Sequence, residues 1–293
     1  MNTLMMNLKK NDKAVGFLIA FLGAFLMSID PIFIRYAGVS GFDTAFLFGL
    51  FSAISMPILL VITDKRGITQ AIVQSGWPLL IAGILMVGSA SGLVFSIKHT
   101  SIANTFMILS AAPAFAAIFS WFFLREKTNK STVMTIIAVM FGVGIIVSDS
   151  VGGGDVFGNV LAIFSVICFS LMFTLLRKYP NVSRLGSVAV GGALLAITMV
   201  FFAEPSEYDN NTWVMMGIMG LFSAPLGRVM SMVATRYITA AEVSMTLMLE
   251  TVLATLWGMI FFSEIPTTLT MVGGLFILIS LFMYSYHNMK NNV

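Results

Sequence analysis

The sequence predicts an all-α membrane protein of ten transmembrane helices, arranged as two inverted five-helix repeats. Composition, the spacing of the charged residues and an internal doubling carry that prediction. The chain has 293 residues, 58% of them hydrophobic and 10% charged, with a mean hydropathy of +0.96. A soluble protein carries about 25% charged residues. Sixteen Lys and Arg with thirteen Asp and Glu cannot solvate a water-exposed surface of this size. Soluble enzymes, nucleic-acid-binding proteins and disordered regulators are excluded, and the bilayer is the partner the chain must meet.

The apolar residues come in long runs between charges, not in short alternating strands, so a transmembrane barrel does not fit. A helix needs about 20 apolar residues to cross hydrocarbon. The first span follows Lys13 and passes Asp30 to reach Arg35, too long for a cleavable signal. The runs predict spans at 14–36, 43–63, 77–97, 101–124, 131–148, 156–177, 185–203, 212–236, 240–262 and 267–287. Between the second and third, the polar stretch Gln70 to Gly76 reads as a loop.

Loop charge tests the count. With a cytoplasmic N-terminus, thirteen of the sixteen basic residues face inward, Arg35 and Lys98 face outward, and Arg228 falls inside a span. That asymmetry is what the positive-inside rule requires, and it predicts a multi-pass protein of the cytoplasmic (inner) membrane with both termini inside. The six tyrosines, with Trp77 and Trp213, lie near span ends, where amphipathic rings favour the interface. Cys168 sits within a span as a small buried side chain, so no intrachain disulfide forms.

The second half repeats the first. Residues 98–126 align without a gap on 236–264, pairing Lys98 with Arg236, Phe123 with Phe261 and Glu126 with Glu264. Residues 16–35 align on 158–177, pairing Ser28 with Ser170 and Arg35 with Arg177. Residues 1–150 and 151–293 are thus expected to be two repeats. An odd number of spans in each inverts the second copy across the membrane. Inverted repeats mark alternating-access transporters, with a site near the midplane between the halves.

At this point the residues resemble a known family. The stretch SAAPAFAAIFSWFFLREKTNKSTVMTIIAVMFGVGIIV from Ser110 looks like the hallmark of the drug/metabolite transporter superfamily, EamA branch. There a Pro-containing helix ends in Gly-Glu-Arg-like residues and a Gly-containing helix follows. LMLETVLATLWGMIFFSE from Leu247 looks like that family's Leu-Glu-Pro-Val helix and its matching Glu. Arg125 and Ser263 stand where the family has Gly, and Thr251 where it has Pro. The resemblance covers essentially the whole chain and implies a ten-helix carrier of small metabolites, most often an exporter.

Three charges lie within spans, where a bilayer-centred ionisable group costs about 2.5–3.5 kcal/mol even on the lenient scale. At 1.5 Å per residue, Glu250 lies roughly 15 Å and Arg228 roughly 13 Å from the inner ends of consecutive antiparallel helices. Each is expected to be the other's counter-ion. The pair reads either as a permanent bridge or as a substrate site, Arg228 taking a carboxylate and Glu250 an amine or a proton. Pro225 and Gly227 precede Arg228 and loosen the backbone there. Asp30, next to Pro31, is expected in the outer third of its span, facing water, pairing with Arg35 or serving an outer gate. Ser89 and Ser91 in the GSASG segment, with Asn104 and Ser110 on span four, are neutral candidates for a polar lining; close packing is the competing reading.

The function these residues predict is secondary active transport of small polar or zwitterionic metabolites, amino-acid-like first, outward and by alternating access. Uptake, facilitation and export of cationic compounds are the alternatives. No GxxxxGK[ST] loop is present, so the energy must come from a substrate or proton gradient, with the proton as candidate coupling ion. An intramembrane enzyme is the remote alternative: both histidines, His99 and His287, sit at span ends, and HExxH and GxSxG are absent. No catalytic residue, metal site, cofactor or nucleic-acid partner is expected.

Overall fold

The computed structural model describes residues 2–63, 67–125, 130–149, 155–234, 237–238 and 240–291. Every regular element among them is helical. The first span is α1 (Asn2–Ser28) followed by α2 (Asp30–Tyr36). α3 (Gly41–Thr63), α4 (Gly67–Ser75) and α5 (Trp77–His99) come next. The fourth span is α6 (Ile102–Leu109) with α7 (Ala112–Leu124), and α8 (Lys130–Asp149) is the fifth. α9 (Val156–Lys178) and α10 (Arg184–Met199) follow. The eighth span is α11 (Asn210–Ile218), a π-helical turn over Met219–Ser223, and α12 (Ala224–Ala234). α13 (Ala240–Phe262) and α14 (Thr268–Asn291) complete the chain.

Seven of these spans are long and apolar enough to cross a membrane, and three shorter apolar helices, Arg184–Met199, Met248–Phe262 and Thr268–Tyr284, complete the ten. This is an all-α, multi-pass membrane protein. Large apolar side chains such as Ile62, Phe122, Met134 and Phe276 remain exposed on the outward helix faces, where acyl chains solvate them. Inside, Leu47, Met86, Ile97 and Met216 are buried in one cluster, and Ile108, Ile146 and Ile277 in another.

α4 corrects the loop expected over Gln70 to Gly76. Ile68, Ala71 and Ile72 recur at helical spacing within an otherwise polar stretch. Ala71 packs into a small cluster with Met56, Leu60 and Leu185. Glycines with positive φ, Gly67 (75°) and Gly76 (59°), mark both ends of this short helix. Ser75 ties it to the second half by accepting the Ser183 amide at 2.9 Å.

Three spans are broken, each beside a proline. Pro31 follows the α1–α2 junction, Pro113 follows the α6–α7 junction, and Pro225 follows the π turn. A proline removes one amide donor and clashes with the carbonyl four residues back, so the helix breaks or takes up an extra residue.

Helix pairing follows a pattern. α3 packs on α10, α8 on α14, α5 on α9, and α1 on α12 and α13, while α6 and α7 pack on α9. Exchanging the first five spans with the last five turns this set of pairs into itself. Lipid tails are as apolar as the helices, so association depends on close packing of small residues. α8 and α14 touch backbone to backbone: a Cβ on Gly142 would lie 2.9 Å from the Gly273 carbonyl, and one on Gly273 would lie 2.7 Å from the Gly142 carbonyl.

Candidate functional site

Three charged side chains converge where the broken spans meet. α1 stops at Ser28 and α2 starts at Asp30, so the Asp30 carboxylate stands at the discontinuity. The extra residue of the π turn presents Ser223, whose hydroxyl donates to Asp30 and also lies 2.9 Å from the Leu26 carbonyl. One turn further, Gly227 lets α12 approach α1 closely: its Cβ would lie 2.5 Å from Met27 Cγ and 3.0 Å from the Gly23 carbonyl. That contact brings the next residue, Arg228, to the same interface.

The Arg228 guanidinium lies 5.9 Å from the centre of the Phe48 ring. Asp30 and Glu250 both act on it electrostatically, and on each other. Among the described residues, neither carboxylate is in direct ion-pair contact with it. The permanent bridge, one of the two readings of the Arg228–Glu250 pair, is not present here as a direct ion pair, although the two charges still act on each other. Arg228 Nη1 is buried with no hydrogen-bond partner. A buried donor left unmade costs about 1–3 kcal/mol, more when charged, and such a group in a folded protein calls for an explanation. Two carboxylates, one guanidinium and a spare N–H stand together here, the kinds of group that bind charged ligand groups.

Trp257 extends this centre. It lies two helical turns beyond Glu250 on the same face of α13. Its Nε1 donates to Ser28 Oγ at 3.0 Å, and its ring meets Phe25 edge-on at 6.0 Å.

A second charged cluster closes the bundle at the end that carries Arg35. Arg35 does not pair with Asp30, correcting that expectation. It lies at the far end of α2, where Nη2 is 2.8 Å from Glu264 Oε1 and also donates to the Thr100 carbonyl at 2.8 Å. The other Glu264 oxygen accepts the Ile102 amide at 2.8 Å, capping α6. Lys98 Nζ donates to the Ile34 and Val39 carbonyls at 2.9 and 2.8 Å.

Tyr208 belongs to this end as well, and it is more than the membrane anchor expected of it. Its hydroxyl donates to Asp43 at 2.8 Å, beside the Glu204 amide at the same distance. Burial first, and then the hydrogen bond to Asp43, push the Tyr208 phenol above its ordinary pKa. Hydrogen bonds from Thr212 hold the Asp209 carboxyl below the usual range.

The neutral candidates make hydrogen bonds to groups other than the charges of Asp30, Arg228 and Glu250. Ser91 donates to the Val87 carbonyl on its own helix at 2.7 Å, and the Ser89 carbonyl accepts from Ser165 at 2.7 Å. Ser110 donates to the Met107 carbonyl at 2.6 Å at the α6–α7 break. Asn104 is buried, with its amide nitrogen 3.2 Å from Thr100 Oγ1 and its carbonyl oxygen accepting from Thr270 at 2.8 Å.

Sequence reasoning did not single out Ser223, Trp257, Phe48 or Glu264 as partners of these charges. Only Glu264 left a signal, as one of the few charges among long apolar runs. Glu126, its counterpart in the first half, lies outside the described residues, as do Lys65, Arg66, Lys127 and Arg236. Among the described residues, no group of three or more His, Cys, Asp or Glu is arranged to hold a metal.

Comparison with known proteins places this architecture. The EamA-like transporter family matches residues 14–148 and 156–286. The pseudopaline exporter CntI of Pseudomonas aeruginosa is 24% identical over 272 residues, covering 90% of this chain and 94% of that one. Solute carrier family 35 member G1 of Mus musculus is 23% identical over 289 residues, covering 91% of this chain and 77% of that one. A solved crystal structure superposes with a TM-score of 0.63 at 17% identity, covering 92% of this chain and 96% of the other, and so shares the fold. With two matches that together span nearly all of the ten helices, the chain belongs to the EamA-like transporter family.

Proposed function

We propose that the chain is a secondary exporter of small polar or zwitterionic metabolites, with amino-acid-like compounds the first class to test. In this reading residues 1–150 and 151–293 are two inverted repeats, and both termini face the cytoplasm across the inner membrane. The charged centre between the halves is the substrate site. The observation that carries the reading is the buried, unpartnered Nη1 of Arg228, which a substrate carboxylate would complete. Asp30 and Glu250 would receive the ammonium group, and Phe48 and Trp257 the apolar part.

The sequence offers no nucleotide-binding loop, so a gradient drives the cycle. Glu250 or Asp30 is the group that would exchange a proton as the site changes solvent exposure. Outward direction is supported by the relative named as a pseudopaline exporter. A second reading, export of cationic compounds, is favoured by one feature: two carboxylates face one guanidinium, an excess of negative charge that a cation would balance.

The test is counterflow in proteoliposomes loaded in turn with single amino acids, polyamines and quaternary amines. Accelerated uptake of labelled amino acid into amino-acid-loaded vesicles, abolished in Arg228→Gln, is the expected result. Acceleration by amines alone, with Arg228→Gln fully active, would select the cation reading. Flux with none of the three classes would reject both.

A further inference from the structure

We propose that α2 is the moving gate at the Arg35 end, a rigid seven-residue lever that couples the charged centre to the closure of the bundle. Its inner end carries Asp30, bonded to Ser223. Its outer end carries Arg35 and runs into the segment ending at Val39, which neighbouring elements grip.

The grip consists of bonds that can be released without unwinding any helix. Arg35 holds Glu264 and the Thr100 carbonyl. Lys98 holds the Ile34 and Val39 carbonyls. Asn211 Nδ2 donates to the Tyr36 carbonyl at 2.9 Å, and Thr212 Oγ1 to the Ala37 carbonyl at 2.9 Å. Asn211, Thr212 and Ser223 all belong to the eighth span, so one broken helix holds both ends of α2.

Both ends of α2 are also built to bend. At the inner end the helix pauses at Ile29, and Pro31 supplies no amide to the preceding turn. At the outer end Gly38 adopts φ 70°, open to glycine without strain. Between these points α2 is regular, so a displacement of Asp30 moves Arg35 with it. Substrate drawing Asp30 away from Ser223 would thereby loosen the Arg35–Glu264 closure about seven to eight ångströms along the helix axis, at 1.5 Å per residue. Bonds at two ends of one rigid element provide the two-state device that coupling requires.

The test uses thiol labelling and needs no transported substrate, so its outcome is independent of the function proposed above. Ala37 is 2% exposed beneath Thr212. In Ala37→Cys protein in lipid nanodiscs, reaction with a membrane-impermeant maleimide reports opening of the gate. The native, buried Cys168 reports the integrity of the rest of the fold.

Arg35→Gln should raise labelling at position 37 about tenfold, the shift expected from loss of a charge-assisted hydrogen bond. The lever predicts that Asp30→Asn and Ser223→Ala, at the opposite end, raise it in the same direction, with Cys168 still unreactive. Labelling that responds to Arg35→Gln but not to Asp30→Asn or Ser223→Ala would overturn the proposal. So would a parallel rise at Cys168, which would mean that the whole bundle had loosened and not α2.

Discussion

Arg125 and Ser263 share a backbone conformation that neither side chain favours, with φ of 52° and 55°. They close α7 and α13, at positions that align in the two halves of the sequence. Both stand between the end of a helix and a glutamate, Glu126 or Glu264, in the sequence. The turn is left-handed although neither residue is a glycine, which would adopt that geometry most easily. Ser263 leads into Glu264, whose amide returns to the Gly258 carbonyl at 3.2 Å. The strained turn therefore aims the carboxylate that Arg35 and α6 both use.

Arg125→Gly and Ser263→Gly should each stabilise the protein by about 1 kcal/mol, because a left-handed residue with a Cβ carries roughly that strain. Thermal unfolding in detergent measures it. Unchanged or lowered midpoints for both variants would show that the turns store no strain.

The α8–α14 contact should tolerate no side chain. Gly273→Ala places a methyl against the Gly142 carbonyl, at the 2.7 Å separation noted above, so the helices must part. Overpacking of this kind costs about 1–3 kcal/mol. Denaturant titration of the reconstituted protein should show that loss, whereas alanine at Gly144, which has open space around its Cβ, should leave stability close to wild type apart from helix propensity.

Glu250 should carry the coupling. It lies in the charged centre with Asp30 and Arg228 and makes no direct ion pair among the described residues, so it is available to exchange a proton. Glu250→Gln should weaken substrate counterflow, through loss of one charge partner of the ammonium group, and should abolish acceleration by an imposed pH gradient in proteoliposomes. Undiminished pH-driven transport in this variant would assign the proton to another group.

The spans were legible in the sequence because the bilayer imposes a length, and charges such as Lys13, Arg125 and Arg177 punctuate the runs that meet it. Arg228, Glu250 and Asp30 were legible for the same reason: an ionisable residue inside such a run is costly and stands out. Their partners were not. Arg35 and Glu264 lie far apart along the chain, and nothing local specifies that they meet. Depth alone suggested a direct Arg228–Glu250 bridge, but depth does not fix the rotation of a helix, and close approach of α12 to α1 through Gly23 and Gly227 draws Arg228 toward Asp30 as well. The α4 helix was missed because its apolar residues are few and its glutamines mask the helical spacing. Thr251 explains one asymmetry between the halves: it aligns with Pro113, so α13 runs on where α6 and α7 separate.

The most direct test of the proposed substrate site is equilibrium binding of a labelled amino acid to the purified protein, measured beside its carboxamide analogue. If Arg228 Nη1 receives the carboxylate, wild-type protein should bind the acid tenfold or more tighter than the amide, about the value of a hydrogen bond between charged groups. Arg228→Gln should erase that preference. Equal affinities for acid and amide in the wild type, or a preference that survives Arg228→Gln, would contradict the account.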